Sequence, residues 1–166
     1  HQLLGHVKKP ETQFSEVNLK ALLYETLGLL KREIKDKQIN INWEIDPKKN
    51  IVWSDPYQLS QVLMNLLSNA VHAVSENGSI TLFTREINED IILEIKDDGI
   101  GIPKENLGKI FDPFFTTKSF DEGTGLGLFV VHKIIANLHG KIDVSSTVGE
   151  GTSFCIRLPK YNELKR

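Results

Sequence analysis

Between Pro56 and Ser75 the chain has no Asp, Glu, Lys or Arg, although a quarter of all its residues are charged. Gln58, Gln61, Asn65, Asn69 and His72 recur there at helical spacing, so their side chains line one edge of a helix. A plain solvated stripe is the bland explanation, but solvated faces ordinarily use Lys and Glu, which are better helix formers than Asn. Neutral amide oxygens suit a hard cation whose negative ligands come from elsewhere, as when Mg²⁺ is held largely through phosphates. Two glycine elements follow. Asp97-Asp98-Gly99-Ile100-Gly101-Ile102 ends an apolar run in a carboxylate that can accept a hydrogen bond from an exocyclic amine, the contact that selects adenine. Its glycines would let a ligand lie against the backbone, although alone the motif also reads as an Asp-Gly turn. Gly123-Thr124-Gly125-Leu126-Gly127-Leu128 directly precedes an apolar helical stretch, and free N–H groups and the dipole at a helix start attract phosphate. Between the two lies Phe111-Asp112-Pro113-Phe114-Phe115-Thr116-Thr117-Lys118. Three phenylalanines so close must bury something, and a lid anchored by them would carry Lys118 onto phosphate.

The elements that must position these groups follow from pattern. Asn18 stands as an N-cap before Leu19, Leu22, Leu23, Leu27, Leu30 and Ile34, one long amphipathic helix reaching to Asp36. Ile39, Ile41, Trp43 and Ile45 alternate with polar residues as in a half-buried strand, and Ile51-Val52-Trp53 reads as a second, short one. Asp55 and Pro56 mark the start of the uncharged helix, whose apolar face is Leu59, Val62, Leu63, Leu66, Ala70, Ala73 and Val74, and Asn77-Gly78 ends it. Strands are predicted near 79–85 and 91–97, a short helix within 103–110 and a longer one from about Gly125 to Gly140. A closing hairpin pairs 141–146 with 152–158. Strands separated by helices and ending in hairpins point to a two-layer α+β sandwich, one mixed sheet against helices.

At 166 residues and 40% hydrophobic the chain suffices for one domain with a substantial core. A net charge of −2 lacks the basic footprint of a nucleic-acid binder. One cysteine, Cys155, excludes an internal disulfide and fits a reducing compartment. No apolar run approaches a membrane span and no secretory signal opens the chain, so a cytoplasmic placement is expected. There is no Gly-Lys-Ser/Thr phosphate loop and no His-Arg-Asp catalytic loop, which excludes P-loop NTPases and eukaryotic-type protein kinases.

The asparagine box, Asp-x-Gly-x-Gly, phenylalanine box, Gly-x-Gly-x-Gly and Gly149-Glu150-Gly151-Thr152 occur in that order. In combination they resemble the catalytic and ATP-binding domain of sensor histidine kinases, within the gyrase, Hsp90, histidine kinase and MutL superfamily. The match runs from about Asn18 to Lys160, leaving 1–17 as a linker or the tail of an upstream dimerisation segment and 161–166 as a C-terminal tail. The resemblance implies a Bergerat-type sandwich with a mobile ATP lid. Carried over by position, Asn69 would coordinate Mg²⁺, Asn65 would support phosphates or metal, and Lys118 would neutralise the phosphates. Asp97 would bind the adenine amino group, with Gly101 and Thr152 lining the base pocket and Gly125, Leu126, Gly127 and Leu128 wrapping the phosphates. His72, Ala73, Gly99, Ile102, Phe111, Thr117, Gly123 and Thr124 complete the implied ATP contacts. Many members carry Lys and Tyr where this chain has His72 and Ala73, so a phosphate contact and an aromatic wall are altered, as in a nitrogen-regulator-like branch.

Hydrolases of the superfamily place a water-activating glutamate four residues before the metal-binding asparagine. This chain has Asn65 there, which cannot act as a base. The resemblance therefore implies a protein-histidine kinase that passes phosphate to a histidine and then to a response-regulator aspartate. The acceptor is expected on a separate dimerisation domain. His6 resembles an acceptor only superficially, since Pro10 comes one residue too early, and His132 and His139 read as packing or surface residues. The expected partners are that domain and a receiver domain. The chain alone is expected to be monomeric and the full-length protein a homodimer, with membrane anchoring left open. A serine kinase of the anti-sigma-factor type and a catalytically silent nucleotide-binding module are the alternatives.

Overall fold

The structure is a computed structural model that describes residues 11–115 and 127–162. Its elements are β1 (Ser15–Asn18), α1 (Leu19–Leu29), α2 (Lys31–Asp36), β2 (Asn40–Glu44), β3 (Ile51–Ser54), α3 (Pro56–Ala73), β4 (Ser79–Ile87), β5 (Asp90–Asp97), α4 (Lys104–Leu107), α5 (Gly127–Asn137), β6 (Lys141–Thr147) and β7 (Gly151–Pro159). Five strands form one mixed sheet in the order β2-β4-β5-β7-β6, with β2 parallel to β4 and every other pair antiparallel. Period-two burial orients it: Ile80, Leu82, Leu93, Ile95, Phe154 and Ile156 are buried, while Thr81, Glu94, Lys96 and Asp143 alternate with them on the open face. The helices cover the buried face, giving the two-layer α+β sandwich anticipated from pattern.

Helix α3 is the keystone of the helical layer, packed on α5 and on α1. Leu59, Val62, Leu63, Leu66, Leu67, Ala70 and Val71 are all buried, a stripe wider than the sequence suggested. At about 1.5–3 kcal/mol for each large side chain removed from water, that stripe holds the helix rigidly against the sheet. Asp55 caps its start through Oδ1, which accepts from the N–H groups of Tyr57 (2.9 Å) and Gln58 (3.1 Å). The chain leaves α3 at Val74, in extended conformation, and Asn77 takes a left-handed turn (φ 63°) into β4.

One expectation is corrected. The predicted single helix over 18–36 breaks at Leu30, where φ −105° and ψ 11° leave helical geometry and the Leu30 N–H turns back to Leu27 O. Residues from Thr12 onward, within the segment expected as a linker or the tail of an upstream segment, pack on the domain. Ser15–Asn18 pairs antiparallel with β3, the Gln13 N–H donates to Asp55 Oδ2 (3.0 Å), and the Gln58 side chain donates to Thr12 Oγ1 (2.9 Å). The Phe14 ring lies between Trp53 and His139, with centroids 6.3 and 5.0 Å away. A four-residue strand carries too little alternation to announce itself in sequence. Tyr161 likewise belongs to the fold, donating its N–H to Ile51 O and packing its ring on Trp53.

Candidate functional site

The amide edge of α3 touches one glycine element at its middle and another at its last residue. Near its middle, a Cβ on Gly127, the first residue of α5, would lie 2.6 Å from Asn65 Oδ1, so a side chain there would have to displace the amide. The Asn65 Nδ2 donates to Gln61 O (3.1 Å), which turns the carbonyl oxygen outward to Gly127. At its last residue, a Cβ on Gly99 would lie 2.5 Å from Ala73 O, an oxygen that accepts the Ile100 N–H at 3.2 Å. Asn65 and Ala73 are eight residues apart, roughly 12 Å along the axis at 1.5 Å per residue. Asn69 lies on the same edge between them, half-buried.

The Gly99 end is closely built. Asp97, 5% exposed at the tip of β5, accepts through Oδ1 from the N–H groups of Gly99 (2.8 Å) and Thr152 (3.3 Å). Burial pushes its carboxyl above the ordinary aspartate range. The two backbone hydrogen bonds pull it down but do not cancel that rise, and Asp98 adds to it. The folded chain therefore holds the Asp97 proton more firmly than the unfolded chain does. The stability this gives is full below the ordinary carboxylate range and is lost as pH rises through the raised value. A buried carboxyl at a strand tip is placed to accept a hydrogen bond from a ligand amine. Gly101 is held against the Thr147–Val148 backbone, because Ile100 O accepts from Gly149 N (2.8 Å) and the Ile102 N–H donates to Ser146 Oγ (2.7 Å). Thr152 pairs with Asp97 across the β5–β7 ladder, so the two side chains stand on one face.

The other candidates are distributed as follows. His72 is exposed, and its Nδ1 lies 2.8 Å from Ser68 O, a contact it makes as the donor; only Nε2 is left to meet a ligand. Leu128 packs half-buried on the core. Phe111 and Phe115 pack there too, as the expectation of a small apolar cluster requires, with Phe111 tilted on the His132 ring (5.4 Å), whereas Phe114 is 72% exposed with φ 68°. Thr117, Lys118, Gly123, Thr124, Gly125 and Leu126 lie outside the described residues. A groove of about 500 Å³ between α1, α3 and the start of α5 opens at Asn65 and Gly127, walled by Leu22, Leu29, Met64 and Val130.

Two positioning groups escaped the sequence reading. Lys37, just after α2, donates from Nζ to Val71 O (2.9 Å), His72 O (3.2 Å) and Val74 O (3.0 Å), capping the negative end of α3. Nothing local marks it, since its partners lie more than thirty residues away. Ser146 ties Ile102, Gly151 and Thr152 together. Its signal was available: it sits opposite Thr152 once the closing hairpin is put in register.

A family model described as "Histidine kinase-, DNA gyrase B-, and HSP90-like ATPase" matches residues 54–162. The sensor histidine kinase ZraS of Salmonella typhi is 38% identical over 159 residues, covering 95% of this chain and 34% of that protein. This chain thus spans about a third of the length of that relative. Among solved structures, the catalytic domain of the histidine kinase ThkA superposes with a TM-score of 0.80 at 36% identity, over 89% of this chain and 96% of that one. ThkA has also been solved in complex with the response regulator protein TrrA, with a TM-score of 0.77 at 30% identity, covering 95% of this chain and 45% of that one. Full-length ShkA in complex with AMPPNP gives 0.79 at 28%, over 90% of this chain and 31% of that one. No helix among the described residues is long and apolar enough to cross a membrane. The chain belongs to the histidine kinase-, DNA gyrase B- and HSP90-like ATPase family, and within it is an ATP-binding catalytic domain of the sensor histidine kinase type.

Proposed function

We propose that ATP lies along the amide edge of α3 with its base at Asp97 and its phosphates at the start of α5, and that its γ-phosphoryl group goes to a histidine. The acceptor is on a dimerisation domain of the same protein, and a response-regulator aspartate receives the group next. The observation that carries this reading is the double contact of α3, with Asn65 against Gly127 and Ala73 against Gly99. One helix edge thereby joins a carboxylate suited to an amine and a helix start suited to phosphate.

The donor set fits magnesium. Asn69 is assigned to the ion and Asn65 to its support, neutral oxygens of the kind that hold Mg²⁺ when phosphates supply the charge. Bound there, the ion neutralises phosphate charge; Lys118 and the N–H groups of the Gly123–Leu128 segment complete the neutralisation, while Gly101, Ile102 and Thr152 line the base. Such a site needs positioning more than it needs a base. Asn65 cannot take a proton from water, which disfavours hydrolysis, and a neutral imidazole acceptor is nucleophilic without help. The ShkA complex with AMPPNP and the ThkA complex with a response regulator support the nucleotide and the partner. By this reading the chain is monomeric, the full protein dimerises through its acceptor domain, and the catalytic domain is cytoplasmic.

The test is transfer in trans. This domain, a matching dimerisation fragment and ATP labelled at the γ position are mixed with Mg²⁺. Acid-labile label on the dimerisation fragment is expected. Acid-stable label would point to a hydroxyl acceptor, and label on this domain itself would overturn the placement of the acceptor.

A further inference from the structure

Thr152 and Asp97 are cross-strand partners, and which of them donates and which accepts decides what base they can read. The hydrogen-bond count around Ser146 fixes this for Thr152. Ser146 Oγ lies 2.7 Å from the Ile102 N–H, 2.8 Å from Gly151 O and 2.8 Å from Thr152 Oγ1. Ile102 N can only donate and Gly151 O can only accept. The single Ser146 proton must therefore go to Gly151 O, since otherwise two oxygen lone pairs would face each other at 2.8 Å. Ser146 then has no proton left for Thr152, and the contact between the two hydroxyls is made by the Thr152 proton. Thr152 Oγ1 is left with lone pairs only.

We propose that Ser146 is a specificity-determining positioning residue: by taking the Thr152 proton, it makes Thr152 a pure acceptor beside the Asp97 carboxylate. Two acceptors side by side welcome a base that presents an amine and reject one that presents a carbonyl oxygen at the same place. A threonine free to rotate could serve either base. The proposal rests on the reading of the Asp97 end as the base site. It adds that discrimination between a 6-amino and a 6-oxo purine depends on a residue that need not touch the nucleotide.

Inosine triphosphate, which carries oxygen where ATP carries the amine, is the probe. Affinities for Mg²⁺·ATP and Mg²⁺·ITP are measured by calorimetry on the intact domain and on Ser146→Ala, Ser146→Thr, Thr152→Val and the Ser146→Ala/Thr152→Val double variant. Ser146→Ala is expected to shrink the ATP-over-ITP ratio about fivefold, the worth of one hydrogen bond, and Ser146→Thr, which keeps the hydroxyl, to restore it. In the Thr152→Val background the Ser146 substitution should leave the ratio unchanged, since no hydroxyl remains to orient. Equal loss for both nucleotides in Ser146→Ala would make Ser146 a mere brace of the Ile102 loop and overturn the proposal, as would no loss at all. Asp97→Asn run in parallel separates the failures. A ratio lost there but kept in Ser146→Ala overturns this inference alone, and a ratio kept in both overturns the base-site reading with it.

Discussion

The two ends of the α3 edge are built on different plans. At the Gly99 end almost every polar group is pinned: Asp97 Oδ1 holds two backbone donors, Ile102 and Thr152 are tied to Ser146, and Ala73 O takes Ile100. At the Gly127 end, among the described residues, Asn65 bonds back to Gln61 of its own helix and turns its oxygen toward a glycine. A base must be read by shape and by the sense of its hydrogen bonds, so its contacts have to be fixed before it arrives. Phosphates and a metal ion are gripped by charge, which tolerates a looser frame. On the proposed reading, specificity and catalysis are separated along one helix edge, with about two turns between the two contacts.

Breaking the looser end should give the largest effect. Asn69→Ala is expected to cost on the order of 100-fold in Mg²⁺-dependent ATP affinity, with little change in Mg²⁺-free binding. Titration calorimetry with and without the ion checks this, and unchanged affinity would remove the metal assignment. Next in size is the pinned end. Asp97→Asn should weaken ATP about 10- to 100-fold, since a hydrogen bond to a charged acceptor is lost, and should blur adenine over guanine. Its effect on apo stability should depend on pH, because burial raises the Asp97 carboxyl in the folded chain. Thermal unfolding from acid to neutral pH checks the sign: the variant should lose the fall in stability that Asp97 causes as pH rises.

The smallest effect sharpens the comparison by striking both ends alike. Asp55→Ala removes the cap of α3 and the anchor of Gln13, at a cost of about 1–2 kcal/mol in unfolding free energy. It should leave the ratio of ATP to GTP affinity intact. Burial raises the Asp55 carboxyl, but hydrogen bonds from Gln13, Gln58 and Tyr57 outweigh that and hold it below the usual aspartate range. Its contribution is therefore present above the ordinary carboxylate range and lost as pH falls through the lowered value. Denaturant unfolding at neutral pH and in acid measures both.

What could be read from sequence follows the range of the interactions involved. The uncharged helix, its Asp55 cap, the alternating strands and the glycine elements were legible because each is written within a few residues of itself. The contact of Asn65 with Gly127 was anticipated only as convergence, since sixty-two residues separate them. Lys37 and β1 were invisible because their partners come from across the fold. The break at Leu30 was hidden because the apolar period runs through it unbroken, while the backbone tightens to an i→i+3 bond. Which phenylalanines of the cluster pack inward was not legible, because their spacing alone does not separate exposed Phe114 from the packed Phe111 and Phe115.

The account turns on one claim, that a magnesium nucleotide lies along the α3 edge between Asp97 and Gly127. Amide hydrogen exchange of the intact domain, with and without Mg²⁺·AMPPNP, tests it most directly. Added protection is predicted at Gly99–Ile102, at Thr152 and at the first turn of α5, with none on the open sheet face around Thr81, Glu94 and Lys96. Protection confined to that open face, or absent from both ends of α3, would contradict the claim.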